Sequence, residues 1–208
     1  MFRTTRIDLK RYRRFVRGNA RLLLLLSLLL IGICVGCTVF LAYGQGESTF
    51  LGTVLAAEPP EIGVRSIVSA LYNACFQSVL LLAILFFCGL SACGLPVIVA
   101  VPVFFGLGFG MSAAYYYSLG WRGVLLTVTV WVLPFVFKAA AVLMGSAEAM
   151  RMSVLLSGKL LSLTAGDGMR RDLRLYMLRF AVFSLVAILG GIAEVLLGIF
   201  CGGIYAAL

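Results

Sequence analysis

From Leu22 to Tyr43 the chain carries no charged residue, and the same is true from Ile67 to Phe87 and from Leu95 to Tyr117. Uncharged apolar runs of about 20 residues match the roughly 30 Å of hydrocarbon that one helix must cross. Two further runs, 124–145 and 178–205, are also long enough to span but hold interior charges, Lys138 and Glu194, with Arg179 at the start of the second. A chain that is 62% hydrophobic and only 12% charged has no aqueous domain to hide these runs in. Mean hydropathy of +1.11 agrees. The expected fold is all-α, a polytopic transmembrane bundle of about five spans, forming a single integral membrane domain over 1–208.

The first run is too long for a signal-peptide core of about 7–15 residues, and no A-x-A site follows it. It reads as a retained anchor. "CVGC" at 34–37 also misses a lipoprotein signal, because Cys34 stands where an aliphatic residue is required. The cysteines at 34, 37, 75, 88, 93 and 201 fall mostly inside apolar runs, where a disulfide framework is not expected. With no histidine and no second CxxC pair, neither a zinc site nor any cofactor is expected.

Charge sets the orientation. Residues 1–21 form a basic arm with Arg3, Arg6, Lys10, Arg11, Arg13, Arg14, Arg17 and Arg21 against a single acid, Asp8. Such an arm lacks the fold and the base-reading aromatics of a nucleic-acid binder, and beside a span it contacts anionic lipid in the cytoplasm. The 44–66 loop has Glu47, Glu58 and Glu61 against Arg65 and lies outside. The 146–177 segment carries Arg151, Lys159, Arg170, Arg171 and Arg174 and belongs inside. The N-terminus is therefore expected in the cytoplasm and the C-terminus outside a cell membrane. Basic residues spaced by leucines and methionines make 146–177 an interfacial helix. The alternative is a plain helical extension of the fourth span.

Gly106, Gly110 and Ala114 stand at steps of four in the third span, and Gly32 and Gly36 do so in the first. A phosphate loop needs a different spacing after a strand. In lipid, small residues at such steps let helix backbones approach, so these positions read as helix-packing faces, toward other spans or a second copy of the chain. Tyr115, Tyr116, Tyr117 and Trp121 read as interfacial aromatics. Gly190, Glu194, Gly198 and Gly202 share a face of the last span, which directs its acid at other helices. Glu194 is either a functional intramembrane acid or a structural hydrogen-bond acceptor. Counted from the span ends, Lys138 lies about 10 Å and Glu194 about 20 Å from the cytoplasmic boundary. That gap favours Arg122, Arg65 or the Trp121 indole as partners of Glu194, with Lys138 snorkelling inward. Pro134 should kink or break the fourth span. Without a histidine, a nucleophile elbow or paired intramembrane carboxylates, catalysis is not expected.

The segment from Gly94 to Phe137, "GLPVIVAVPVFFGLGFGMSAAYYYSLGWRGVLLTVTVWVLPFVF", resembles the stage II sporulation protein M family. The resemblance rests on Gly94, Pro96, Gly106, Gly110, Gly120, Trp121, Gly123, Leu133 and Pro134, and on the basic N-terminus and the acid in the last span. It implies a non-catalytic membrane scaffold in endospore engulfment. In that role it would localise two peptidoglycan hydrolases, an amidase and a lytic transglycosylase, at the septal membrane. Wider relatives accompany ABC-type export systems, so a permease component is the alternative.

The topology is checked with reporter fusions. A fusion after Leu208 should be active only in the extracytoplasmic compartment, and one at Gly166 only in the cytoplasm. The reverse pattern would overturn the orientation.

Overall fold

A computed structural model describes residues 20–43, 64–91, 94–118, 120–162 and 168–206. The described residues form an all-α bundle: α1 (Ala20–Tyr43), α2 (Val64–Leu90), α3 (Leu95–Ser118), α4 (Trp121–Leu126), α5 (Val132–Ser162) and α6 (Gly168–Ala206). A π-helical turn, Thr127–Trp131, joins α4 to α5. Five of the helical stretches are long and apolar enough to cross a membrane, which makes the chain a multi-pass membrane protein. The basic arm at 1–19 and the 44–63 loop lie outside the described residues.

α1 and α3 touch through glycine. A Cβ added at Gly32 or Gly36 would stand 2.3 Å from the backbone oxygen of Val103 or Leu107. One added at Gly106 or Gly110 would stand 2.3 or 2.2 Å from the oxygen of Leu29 or Ile33. Contacts rise together in number along both helices, so the two run parallel. Each glycine therefore faces the partner's carbonyls with nothing in between, the close approach that dispersion and weak Cα–H···O contacts reward in lipid. Leu25, Leu29, Gly32 and Gly36 form the buried stripe of α1, and Leu24, Leu26, Leu30, Ile31 and Leu41 remain exposed, as a lipid-facing surface requires.

α3 also meets α5, where Phe135 stacks on Phe109 with centroids 3.7 Å apart and on Phe105 at 5.3 Å. Below, α2, α3, α5 and α6 enclose a core around Leu82, Leu85, Ile98, Val142, Tyr176 and Phe180.

Three expectations are corrected here. The 146–177 segment is not a separate interfacial helix: α5 runs unbroken through Gly145 to Ser162, and α6 is already helical at Gly168. Buried Ala149, Met152 and Ser153 explain this, because they pack α5 into the bundle beyond its apolar run. Of the kink or break expected at Pro134 the break does not occur: the helix departs from α geometry in a π turn just before the proline and then continues through it. Proline lacks the N–H for the carbonyl four residues back, and its ring crowds that oxygen. The wider π turn just before it accommodates the ring, which is fully buried. The three tyrosines also divide: Tyr115 and Tyr117 are exposed beside Trp121, but Tyr116 is buried against Trp131 at 5.3 Å.

Gly110→Leu should separate α1 from α3 and cost about 3 kcal/mol, the upper range for overpacking. Gly158→Leu, where an added Cβ meets nothing within 4 Å, should be tolerated. Thermal unfolding in detergent, with protease accessibility as the check on insertion, separates the two. Equal stability of both variants would refute the packing role.

Candidate functional site

The intramembrane charges meet. Lys138 on α5 donates through Nζ to Oε2 of Glu194 on α6, and their side chains are only 10% and 14% exposed. The contact overturns the expected separation of the two groups and gives Glu194 a partner other than the expected Arg65, Arg122 or Trp121. Trp121 is 74% exposed, and the two arginine side chains lie outside the described residues. The depth count failed because it took span ends at Gly145 and Leu178, where neither helix ends. Counted from the hairpin ends at Ser162 and Gly168, Lys138 and Glu194 lie about 36 Å and about 39 Å along their helices. They face each other at one level.

Local sequence builds this meeting. Gly190, one turn before Glu194, brings its backbone against α5: an added Cβ would stand 3.1 Å from Lys138 Cγ and 3.4 Å from the Pro134 oxygen. The lysine stem lies over that glycine and carries its ammonium to the carboxylate. An isolated charge at a span centre costs about 2.5–3.5 kcal/mol on insertion scales, so each group removes the other's penalty. Gly191 beside it turns to α2, where an added Cβ would come within 2.9 Å of Cys75 Sγ. Of the other members of the face, Gly198 is half-buried, and the surroundings of Gly202 lie outside the described residues.

A second polar cluster joins the same helices nearer the hairpin. Arg179 on α6 donates to Oε1 of Glu148 on α5, and Arg151 approaches the same oxygen at 3.6 Å. Next to it Tyr176, 1% exposed, donates its hydroxyl to the Phe86 carbonyl at 3.0 Å and stacks on Phe86. Gly89 makes room for it, since a Cβ there would lie 2.2 Å from the hydroxyl. Ser153 donates to the Ser91 carbonyl at 2.9 Å, tying α5 to the end of α2. Sequence reasoning missed Glu148, Tyr176 and Ser153. The signal available was the Glu148–Arg151 spacing of three, which faces an α-helical pair along one side.

The residues carrying the family resemblance fall into three structural roles. Gly94 and Gly120 open helices: Ile98 N donates to Gly94 O at 3.0 Å and Val124 N to Gly120 O at 3.2 Å. Gly120 has φ +84°, a backbone setting that side-chain-bearing residues rarely adopt. Pro96 stands in the first turn of α3, where its missing N–H is harmless. Gly106, Gly110, Gly123, Ala114 and Pro134 are buried, and Trp121 and Leu133 are exposed. Cys37 is unbonded to Cys34 and donates to the Gly110 carbonyl at 3.3 Å. "CVGC" therefore contributes to the α1–α3 seam. No family model, curated protein or solved structure matches the chain.

Lys138→Met and Glu194→Gln should each destabilise the protein by about 3–5 kcal/mol, the cost of stranding one buried charge. The double variant should recover most of that loss. Unfolding measured on all four proteins in one detergent gives the coupling, and additive losses would mean the two groups act separately.

Proposed function

We propose that the chain is a non-catalytic integral scaffold of the stage II sporulation protein M type, localising wall hydrolases during endospore engulfment. The N-terminus is cytoplasmic and the C-terminus extracytoplasmic in this reading. The observation that carries it is how the interior is used. α1–α3 is closed by glycine against backbone, α3–α5 by stacked phenylalanines, and the intramembrane charges neutralise each other. Such a bundle presents surfaces and holds its own shape. The residues that underlie the family resemblance supply its helix starts and its closest seam.

The packing also narrows where partners bind. Gly32, Gly36, Gly106 and Gly110 are spent within one chain, so neither a second copy nor a hydrolase anchor uses that face. In this reading an amidase or a lytic transglycosylase is met by the acidic 44–66 loop or by exposed faces of the other spans. A permease component is the second reading. It is favoured by the π turn and the adjacent intramembrane ion pair, since irregular helix and buried charge also mark transport paths.

Deleting the gene in an endospore-forming host should block septal wall thinning while the hydrolases stay active in vitro. Exchange of the 44–66 loop for a Gly/Ser linker should delocalise them, and the tagged chain should co-purify with them. Normal engulfment in the deletion strain would falsify the scaffold reading and leave transport in front.

A further inference from the structure

Between α5 and α6, at the hairpin end of the bundle, Glu148, Arg151, Asp172, Tyr176 and Arg179 line a shallow surface notch that is open to the surroundings. Met152, Leu155 and Leu175 complete its wall, the two leucines 38% and 43% exposed. The notch is therefore amphiphilic, with two guanidiniums and the carboxylates of Glu148 and Asp172 at its mouth over an apolar flank. It stands where the apolar run of α6 begins, the level at which a bilayer changes from headgroup to acyl chain.

We propose that this notch binds the headgroup of an anionic phospholipid, with the phosphodiester held by Arg151 and Arg179. Charge selects the ligand. From Glu148 to Arg179 the hairpin carries six bases (Arg151, Lys159, Arg170, Arg171, Arg174 and Arg179) against Glu148, Asp167 and Asp172. A zwitterionic headgroup gains little from that field, whereas an anionic one gains at every approach. Both guanidiniums of the notch converge on one carboxylate oxygen of Glu148, the geometry that a phosphate oxygen would replace. Glu148 is 21% exposed, and the two arginine side chains are 53% and 43% exposed, so the exchange needs no unpacking of the core. Glu148 thus holds the arginines in place when no lipid is bound and competes with the phosphate for them. The buried Tyr176, fixed to α2 through the Phe86 carbonyl, keeps the wall of the notch rigid.

The competition gives the test its sign. The full chain in detergent is titrated with short-chain phosphatidylglycerol, short-chain phosphatidylcholine or inorganic phosphate, following thermal unfolding and lipid retention in native mass spectrometry. Phosphatidylglycerol should raise the unfolding temperature and remain bound. Phosphatidylcholine and inorganic phosphate at equal concentration should do neither. Arg151→Gln with Arg179→Gln should weaken phosphatidylglycerol binding at least tenfold, and Arg171→Gln, an exposed arginine outside the notch, by less than threefold. Glu148→Gln removes the internal competitor and should strengthen binding severalfold, even though it deletes an ion pair. Weaker or unchanged binding in Glu148→Gln would overturn the proposal, as would an equal response to phosphatidylcholine or saturation by inorganic phosphate alone. If the arginine variants fail to fold, the sign of the Glu148→Gln effect still decides.

Discussion

The architecture depends on how closely α1 and α3 can approach. In a bilayer an apolar side chain gains nothing by leaving lipid for protein, so hydrophobicity cannot choose a span's neighbour. Bare backbone can. Four glycines, Gly32 and Gly36 on one helix and Gly106 and Gly110 on the other, each face a carbonyl of the partner. Because the contacts are reciprocal, any shift along the axis brings a side chain where only hydrogen fits. The seam thereby fixes register and direction, as well as adhesion. With α1 placed against α3, a neighbouring face of α3 is left for the Phe105–Phe109–Phe135 stack on α5, and α5 in turn touches each of the other spans.

α5 and α6 solve the same problem by polarity. Lys138–Glu194 deep in the span, Glu148–Arg179 nearer the hairpin, and the Tyr176 and Ser153 hydrogen bonds to α2 form a ladder of specific contacts. Each rung demands one rotation and one height of its helix. The π turn before Pro134 belongs to the same solution, because it lets α5 continue past a residue that cannot complete the α-helical pattern. Lys138 follows one turn later, in register with Glu194.

Length and charge made the five spans legible, and steps of four made the glycine faces legible, because both depend on local periodicity alone. The face of α6 bearing Glu194 was readable for the same reason. The Lys138–Glu194 contact was not, since it depends on where two helices end, and end points were placed where hydropathy fell. Packing of Ala149, Met152 and Tyr176 carries both helices well past that fall. Treating 146–177 as a separate segment and treating the two charges as too far apart were therefore one mistake. Had the hairpin been taken as two long helices with a short turn, the equal depth of the charges would have followed from counting. Tyr116 shows the other limit: three adjacent tyrosines look alike in sequence, but about 100° of rotation per residue sends the middle one inward.

The two ion pairs use the same chemistry in different solvents, and that difference separates what they can do. At the depth of Lys138 and Glu194 there is little water and no lipid phosphate to compete, so either group apart from its partner bears the full cost of its charge. That pair is a fixed lock on α5–α6. Glu148 and its arginines are more exposed, at 21%, 53% and 43%, and surface ion pairs are worth about 0–1 kcal/mol. A pair held that weakly exchanges partners readily. One end of the α5–α6 interface is thus fixed by buried charge and the other, being half-exposed, is open to substitution.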